Sequence, residues 1–521
     1  MKHALAALCA VLVVSCATPS REQSLVDRAV NAMGGAERIA AIKTVAVKAN
    51  LKQWEPEQSD VPGGEPRFAN EASVEVVQDR SRRASRTDWV KNFAYPAPRT
   101  FTYSEIVTPQ AGYVLGVDSN GRNAQSMKMS PPAHSMSGHR LATTQREARR
   151  ASQTALLTQM QASPDKVQPA SDIGGHPAVS FDGFIVAFDP ATGLPSRVRT
   201  LDYDNLWGDV TYDMLLSDWR EFDGVKIAMK RRTELNGRLV ADTTFTDVRI
   251  NPVIEAARFE VPAALSADAA RPAIRNIPYQ WVIRRQFIGV YLDSEVPSFD
   301  TRASTGLRLV QLAPGVQHVV GGSHNSLIVE MKDHLVVFDA PVSDWQSVWL
   351  LGAAQVKYTG KPVKYLVLTH HHMDHAGGIR AYAADGATLV VGKGTAEHYR
   401  RVLAAPFTRN PDLPAKDLSK TPIVEVADKH VLTDGEREVH AYIVANNPHA
   451  DGLLIGYVPQ AKLGFVTDIW IPGAGPLPDK LTPPLAAFVG TVKKAGITVE
   501  KFAGGHGSTA DYAPLAALEG K

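Results

Sequence analysis

The sequence predicts an α+β protein in which an antiparallel, β-rich N-terminal domain precedes a mixed α/β C-terminal domain. Residues 23–261 contain runs that alternate between apolar and polar side chains and are separated by turn signals, which is the pattern of half-buried antiparallel strands. Residues 301–521 contain short continuous apolar runs, several of which end in histidine or aspartate; such runs are typical of strands buried within α/β layers. An alanine-rich stretch opens the segment between them, residues 262–300, which we interpret as a linker and bridge.

The N-terminus predicts export to the bacterial cell envelope. Lys2 precedes an apolar run over residues 4–14, which is too short to span a membrane and has the form of a signal sequence. The small residue before Cys16 resembles a bacterial lipobox, in which the cysteine is lipidated and becomes the new N-terminus. We therefore predict a lipoprotein signal over residues 1–16 and a periplasmic or outer-membrane lipoprotein; secretion after cleavage behind Ala17 is the alternative.

The charge and cysteine content exclude nucleic-acid binding and a disulfide framework. The chain of 521 residues has 56 basic and 54 acidic side chains, and without a long basic run it is not expected to bind nucleic acid. Its two cysteines, Cys9 and Cys16, both lie in the signal region, so we expect no disulfide in the mature fold. A chain of this length buries a core large enough to fold without one.

A helix and a series of hairpins are predicted in the N-terminal domain. An amphipathic helix over residues 24–33 precedes strands that include residues 100–106 and 181–188. Turn signals recur between strand-like runs at residues 189–193, 223–224 and 236–237. They predict consecutive antiparallel hairpins. The domain loosely resembles the half-barrel domains of periplasmic lipoprotein carriers, which implies a concave sheet that holds an acyl chain; a scaffold that spaces the C-terminal domain from the membrane, or forms a dimer, is the alternative.

The C-terminal domain carries a cluster of potential metal ligands at the end of one predicted strand. Four such groups fall within six positions after the apolar run of residues 365–368: His370, His372, Asp374 and His375. The loop at the end of a buried strand is free to carry chemistry, and Gly377 and Gly378 allow the backbone to turn into a helix. Neutral imidazole and carboxylate groups suit a borderline divalent ion such as zinc.

Three further candidate ligands follow other short apolar segments: His449, Asp468 and His506. Together with the first four they exceed one tetrahedral coordination sphere, which indicates two metal ions. The other histidines of this domain remain unassigned, because a lone histidine at a strand end is more often packed or solvated than a ligand: His318, His324, His334, His398, His430 and His440. His371 occupies a spacer position within the cluster, so we assign it a structural or supporting role.

These seven residues resemble the ligand set of the metallo-β-lactamase-fold hydrolase superfamily. Its His-x-His-x-Asp-His signature corresponds to the cluster at residues 370–375, and its later histidine, aspartate and histidine occur here in the same order. The resemblance extends from about Leu307 to the C-terminus and implies a four-layer αββα sandwich with metals on loops at one sheet edge. It implies that His370, His372 and His449 bind one ion, that Asp374, His375 and His506 bind the other, and that Asp468 bridges them.

Two departures within the pattern narrow the reaction that the resemblance implies. His372 stands where diiron, oxygen-reducing members have glutamate, which argues against redox chemistry. Asp468 stands where zinc β-lactamases have cysteine or serine, so the chain is more similar to the glyoxalase II, lactonase and phosphodiesterase branches. We therefore expect hydrolysis of an ester, thioester or lactone-like bond, with a phosphodiester, sulfate ester or β-lactam as the alternative.

Two zinc ions per chain are the expected cofactor, with manganese or iron as alternatives. Divalent ions about 3.5–4 Å apart lower the pKa of a shared water towards about 7, and the resulting bridging hydroxide attacks the small-molecule substrate. Asp374 has the additional expected role of orienting this nucleophile. A function other than catalysis is the alternative. In that case the chain is an envelope protein whose main role is the binding of a lipid or another ligand by the N-terminal sheet, and the metal module has a secondary role.

Several residues near the cluster have more than one interpretation. Asp339 follows a predicted strand and either braces a metal-binding histidine through its second ring nitrogen or forms a turn. Residues 399–401 and 407–414 are basic, aromatic and punctuated by proline; they form either a lid over the site or a solvated helix and loop. Trp470 is a candidate for the pocket wall, and residues 323–325 lie either at the pocket mouth or in a plain hairpin.

Overall fold

The computed structural model describes residues 19–119, 131–266, 277–290, 293, 307–322, 324–410 and 416–520. The predicted signal sequence and both cysteines lie outside these ranges, as do Ser323 and part of the predicted linker and bridge. No helix among the described residues is long and apolar enough to cross a membrane. These residues form a large antiparallel N-terminal sheet and a C-terminal module of two sheets with helices, which confirms the predicted fold class.

The N-terminal sheet has thirteen strands, and each neighbouring pair is antiparallel. Its strands are β1 (Thr44–Glu55), β2 (Arg67–Asp79), β3 (Ala84–Phe93), β4 (Arg99–Val107), β5 (Gly112–Gly116), β6 (Ala133–Ser135), β7 (Gln168–Ile173), β8 (His176–Phe181), β9 (Phe184–Phe188), β10 (Pro195–Asp204), β11 (Gly208–Phe222), β12 (Val225–Leu235) and β13 (Arg238–Ile250). Because β1 pairs with β13, two consecutive meanders lie side by side in one sheet.

Residues 181–188 form a hairpin, whereas the sequence predicted a single strand. β8 ends at Phe181 and β9 begins at Phe184. Between them Asp182 and Gly183 have φ angles of 48° and 78°, which is the left-handed conformation that a two-residue hairpin turn requires. Apolar residues stand on both sides of the Asp-Gly pair in the sequence, so the prediction joined two short strands into one.

Four helices pack on the N-terminal sheet, and two further helices follow it in the chain. They are α1 (Arg21–Ala32), α2 (Ala36–Ala40), α3 (Gly138–Ala151), α4 (Gln153–Ala162), α5 (Ala263–Ser266) and α6 (Tyr279–Arg285). The Ser20 hydroxyl caps α1 by accepting from the Gln23 amide at 3.1 Å, which satisfies one of the unpaired donors of the first turn. Val30 of α1 and Leu157 of α4 are buried in one core with Phe184 of the sheet.

The C-terminal module contains two sheets. The first consists of β14 (Arg308–Ala313), β15 (Val316–Val320), β16 (Ser326–Glu330), β17 (Leu335–Phe338), β18 (Val363–Val367), β19 (Thr388–Gly392) and β20 (Ile423–Val426), in that order. The second consists of β21 (Lys429–Thr433), β22 (Glu438–Ile443), β23 (Leu454–Val458), β24 (Leu463–Val466), β25 (Lys501–Gly504) and β26 (Thr509–Asp511), in that order. β17 to β20 are parallel to one another, as are β24 and β25.

Helices cover the outer faces of these sheets and complete four layers. They are α7 (Asp344–Lys357), α8 (Met373–Ala376), α9 (Ile379–Ala384), α10 (Ala396–Ala404), α11 (Pro483–Lys494) and α12 (Ala513–Ala516). Phe338 and Phe465 meet between the sheets, with ring centroids 5.5 Å apart. On the outer face of the second sheet, Phe488 of α11 packs on Phe502 at 4.9 Å. The apolar runs predicted from the sequence therefore fill an αββα sandwich.

Helix α6 joins the two domains through a buried charge cluster. Trp281 and Val282 lie in the core of the C-terminal module, while Arg284 of the same helix pairs with Glu55, Glu57 and Asp204 of the N-terminal domain. Burial alone would lower the pKa of Arg284, but the three carboxylates raise it. All four side chains are almost fully buried, and burial raises the pKa of Glu55 and of Glu57, so bound protons and the guanidinium together reduce the buried negative charge.

Replacement of this buried cation should destabilise the chain. Arg284→Met is expected to lower the free energy of unfolding by about 3–5 kcal/mol at pH 7, because it removes the cation that pairs with all three buried carboxylates. Loss of the cation raises the carboxylate pKa values in the folded state, so the deficit should shrink as the pH falls from 7 towards 5 and the carboxylates bind protons.

Equilibrium urea unfolding at both pH values measures this effect. Arg220→Met is the control, because Arg220 and Asp218 form an exposed pair of a kind that contributes about 0–1 kcal/mol. An Arg284→Met midpoint equal to that of the wild type would show that the charge cluster does not stabilise the domain junction.

Candidate metal centre

The structure brings the seven predicted ligands together at one edge of the two C-terminal sheets. Four follow β18 of the first sheet and three lie in loops after β22, β24 and β25 of the second: His370, His372, Asp374, His375, His449, Asp468 and His506. Gly377 comes directly after α8, and a Cβ there would lie 2.2 Å from the carbonyl oxygen of Val342. Only glycine therefore fits where the ligand helix meets this loop.

The first group of potential ligands consists of three histidines. The ring nitrogens of His370, His372 and His449 lie within 4.8 Å of one another, and His370 Nε2 is 3.2 Å from His449 Nε2. His372 Nε2 donates to the backbone oxygen of Ser59 at 2.9 Å, so its Nδ1 remains for the centre. Three imidazoles converging in this way form one possible coordination site.

The second group contains Asp374, His375 and His506, together with a residue that the sequence left unassigned. His375 Nε2 lies 3.2 Å from His506 Nε2, and His324 Nε2 lies 3.1 Å from Asp374 Oδ2. The ligand atoms of all four residues fall within 4.8 Å of one another. His324 lies in the loop between β15 and β16, and a single histidine in a loop gave too little sequence signal to identify it.

Asp468 lies between the two groups. Its Oδ2 is 2.9 Å from His375 Nε2 and 3.5 Å from His370 Nε2, and its Oδ1 is 3.0 Å from His506 Nε2. Asp468 has a φ angle of 55°, in a region that residues other than glycine, asparagine and aspartate rarely occupy. The surrounding loop thus holds the backbone in an unfavourable conformation that directs the carboxylate to both groups.

The electrostatics of these residues suit divalent cations. Burial lowers the pKa of His370 and of His372 well below the usual value, which keeps these rings neutral and their lone pairs available. Burial alone would raise the pKa of Asp468, but the surrounding histidines, His506 foremost, lower it, so the carboxylate is ionised. Neutral imidazole and ionised carboxylate are the forms that bind metal, and the donor set matches the preferences of zinc.

His375 stands out because three carboxylates surround it. Burial alone would lower the pKa of His375, but Asp468, Asp374 and Asp339 raise it well above the usual value. The three carboxylates therefore favour positive charge at this position. A divalent cation in the same place would supply that charge more completely.

Asp339 contacts His375 from the side opposite the centre. Its Oδ2 accepts from His375 Nδ1 at 2.8 Å, and its Oδ1 accepts from the Thr369 amide at 2.7 Å. Because Nδ1 is occupied in this way, His375 presents Nε2 to the centre. Asp339 is fully buried and has a φ angle of 60°, so it combines this bracing contact with a tight turn.

The N-terminal domain also reaches the centre, which no sequence pattern indicated. The loop of residues 56–66 between β1 and β2 places the Ser59 carbonyl oxygen 2.8 Å from His371 Nε2 and 2.9 Å from His372 Nε2. The Gln58 side-chain amide donates to Asp374 Oδ1 at 2.7 Å. Gln58 and Asp374 are 316 positions apart in the chain, so local patterns carry no information about this contact.

The remaining candidates from the sequence lie outside the cluster of ligands. Tyr399 of α10 is buried in the core, and Phe407 packs on Tyr203 of the N-terminal domain with ring centroids 5.8 Å apart. Trp470 packs on Phe488 at 5.6 Å, in the core beneath the second sheet. Residues 411–415 of the proposed lid lie outside the described residues, and its described part contributes to the domain junction.

Asn325 supports the loop that carries His506. Its side-chain amide donates to the backbone oxygens of Gly504 at 2.9 Å and Gly507 at 3.0 Å. These two bonds fix the backbone on both sides of His506. Residues 324 and 325 thus line and support the centre, while Ser323 lies outside the described residues.

Comparison with known proteins places this region in one family. Residues 319–511 match the family model of the metallo-beta-lactamase superfamily. No curated protein matches the chain. Among solved structures, the chain is similar to the inverting sec-alkylsulfatase Pisa1 from Pseudomonas sp., with 17% identity and a TM-score of 0.32 over 43% of this chain and 43% of that chain.

Two metallo-beta-lactamase structures show similar values. The enzyme from Pontibacter korlensis has 22% identity and a TM-score of 0.31, over 41% of this chain and 100% of that chain. The enzyme from Hirschia baltica has 18% identity and a TM-score of 0.31, over 40% of this chain and 95% of that chain. The chain spans less than half of the alkylsulfatase that it matches. The family match and the predicted signature coincide, and residues 319–511 belong to the metallo-β-lactamase superfamily of metal-dependent hydrolases.

Proposed function

We propose that the chain is an exported dinuclear zinc hydrolase that cleaves an ester, thioester or lactone-like bond in a small-molecule substrate. The position of Asp468 carries this proposal. Its two carboxylate oxygens lie within 3.0 Å of His375 and His506, and Oδ2 is also 3.5 Å from His370 of the other group. A carboxylate shared between two sets of ligands suits a pair of divalent ions held close together.

Each ion would have its own set of ligands in addition to Asp468. His370, His372 and His449 would hold one ion, and Asp374, His375 and His506 would hold the other. The contacts of the second ring nitrogens support these assignments, because His372 commits Nε2 to Ser59 and His375 commits Nδ1 to Asp339. Each ring is thereby fixed with its other nitrogen towards the centre.

The bound ions would supply a water of lowered pKa and polarise the bond to be cleaved. The residues of the chain provide the setting for this chemistry. Asp374 directs Oδ2 towards His375 and His506, at 3.7 and 3.9 Å, where this oxygen would bind an ion and orient the nucleophile. Asp468, His449 and His506 retain 15% side-chain exposure and Asp374 retains 14%, while His370 and His375 have none, so the substrate would approach from the side of these four exposed residues.

The class of bond follows from the residue between the two groups. An aspartate at position 468, in place of the cysteine or serine of zinc β-lactamases, supports the ester, thioester or lactone-like assignment. The alternatives are a phosphodiester, a sulfate ester or a β-lactam. Lipidation at Cys16 and location in the periplasm or outer membrane complete the proposal, with support from the N-terminal sequence alone.

A second candidate function is the binding of an acidic amphiphile by the N-terminal sheet. A cavity of about 300 Å³ lies between this sheet and helices α3 and α4. Its apolar lining includes Val45, Val47, Leu51, Val74, Phe245 and Val248. Arg231 also lines it; burial lowers the pKa of this guanidinium to about 10, and its Nε makes no hydrogen bond within the described part of the chain. Three basic side chains, Arg80, Lys91 and Arg231, line the cavity against the two acidic ones of Glu105 and Glu147, and an apolar chain with an anionic head group fits such a lining.

Removal of one predicted ligand tests the hydrolase. His370→Ala should lose one of two zinc ions and lower kcat/KM by more than about 100-fold. This loss exceeds the effect of about 10–100-fold that is usual when a residue that hydrogen-bonds to a metal ligand is replaced. Zinc content is measured by elemental analysis, and turnover is measured on a panel of chromogenic esters, thioesters, lactones, phosphodiesters, sulfate esters and a cephalosporin.

His430→Ala is the matched control, because His430 lies on β21 and is not among the residues of the centre. It should keep both ions and full turnover. Full activity of His370→Ala on the substrate that the wild type cleaves would contradict the dinuclear mechanism. The substrate on the panel that is cleaved identifies the class of bond.

Removal of the cation in the cavity tests the second candidate. Arg231→Met should weaken binding of a fluorescent long-chain fatty acid by about tenfold or more, because a charged hydrogen bond contributes about 1.5–3 kcal/mol. Arg232→Met is the control, since the neighbouring side chain points to the other face of the strand and is 51% exposed. Absence of saturable binding to the wild type would exclude this function.

A further inference from the structure

We propose that the loop of residues 56–66 in the N-terminal domain is a part of the metal centre, and that Gln58 is a positioning residue for Asp374. The inference rests on the proposed dinuclear function and extends it across the domain boundary. It gives the N-terminal domain a role in metal binding that the superfamily domain alone does not contain. The loop contacts the second ligand group through the side chain of Gln58 and the first ligand group through the backbone of Ser59.

Gln58 holds one oxygen of Asp374 and leaves the other for the centre. Its Nε2 donates to Asp374 Oδ1 at 2.7 Å, whereas Asp374 Oδ2 faces His324 at 3.1 Å and the second ligand group. Contacts at both oxygens fix the rotation of the carboxylate. Without Gln58, Oδ1 would lose its donor in a buried site, and the carboxylate would be free to turn away from the centre.

Tyr95 sets the orientation of the Gln58 amide. The Tyr95 hydroxyl donates to Gln58 Oε1, and a carboxylate accepts hydrogen bonds but cannot donate one when ionised. The amide must therefore turn its nitrogen to Asp374 and its oxygen to Tyr95. Gln58 is only 3% exposed, so water cannot easily replace either partner.

The same loop holds the first ligand group through its backbone. The Ser59 carbonyl oxygen accepts from His372 Nε2 at 2.9 Å and from the neighbouring His371 Nε2 at 2.8 Å. Arg67, at the start of β2, donates to the backbone oxygen of His449 at 2.8 Å. Histidines that bind metals are usually fixed by such contacts, and loss of one typically weakens metal binding or activity by about 10–100-fold.

Both domains anchor the loop, so it is a rigid support. The Asp451 amide donates to the Asp60 carbonyl oxygen at 2.9 Å, and Arg238 donates to the carbonyl oxygens of Gly63 and Gly64 at 2.8 and 2.9 Å. At its other end, Glu57 pairs with the buried Arg284 at 3.1 Å. The loop is thus held along its length in the position that places Gln58 against Asp374.

Stepwise metal titration of the full mature chain tests this inference. Apo wild type, Gln58→Ala, Tyr95→Phe and Val61→Ala are titrated with Co²⁺ against a chromophoric chelator, while the visible spectrum of the bound cobalt is followed. Gln58→Ala should weaken binding of one of the two ions by about 10–100-fold, the usual effect of a contact behind a ligand, and should change the cobalt spectrum. Tyr95→Phe should cause a smaller change in the same direction.

Val61→Ala is the matched control, because Val61 lies in the same loop with 51% exposure and should bind both ions as the wild type does. If the wild type binds two ions and both Gln58→Ala and Tyr95→Phe match it in affinity and spectrum, the positioning role is wrong and the proposed function stands. If the wild type binds fewer than two ions, both the proposed function and this inference fail. If Gln58→Ala does not fold, the Tyr95→Phe titration decides.

Discussion

The metal centre depends on the need of three carboxylates for positive charge, of which Asp339 is fully buried and Asp374 and Asp468 are partly buried. Asp339, Asp374 and Asp468 all lie around the ring of His375, and they raise the pKa of that ring despite its burial. Isolated buried carboxylates are costly, and they persist only beside cations. The fold keeps two of them, Asp339 and Asp468, in left-handed backbone conformations, of a kind that costs about 1–3 kcal/mol each. Such strain is maintained where the surrounding structure holds the residue in place, as the packed loops of the αββα sandwich do here.

The same need for paired charges and hydrogen bonds connects the two domains. The C-terminal sheets bring the ligands to one edge, but two of these ligands complete their hydrogen bonds with the N-terminal loop: Asp374 with Gln58 and His372 with Ser59. Glu55 and Glu57, at the start of that loop, form buried ion pairs with the guanidinium of Arg284. Helix α6 carries this arginine and also packs into the C-terminal core. The domain junction and the metal centre are therefore parts of one connected set of buried polar contacts.

Features encoded by local pattern could be predicted from the sequence. The ligand cluster at residues 370–375 follows an apolar strand directly, and the Asp-Gly and Asn-Gly turns mark hairpins between strands of the N-terminal sheet. The β8–β9 turn was missed because Asp182 and Gly183 lie between apolar residues from which one continuous strand was predicted. His324 was missed because one histidine in a loop carries little information by itself. Gln58 and Tyr95 could not be predicted, since only the docking of the two domains brings them to Asp374.

We propose that this chain holds two metal ions within one shared set of ligands. The measurement that tests it most directly is X-ray absorption spectroscopy of the zinc-loaded full chain, combined with elemental analysis of its zinc content. Two zinc ions per chain and a zinc–zinc scattering contribution at about 3.5–4 Å are expected. One ion per chain, or two ions without that contribution, would contradict a centre in which Asp468 lies between both metals.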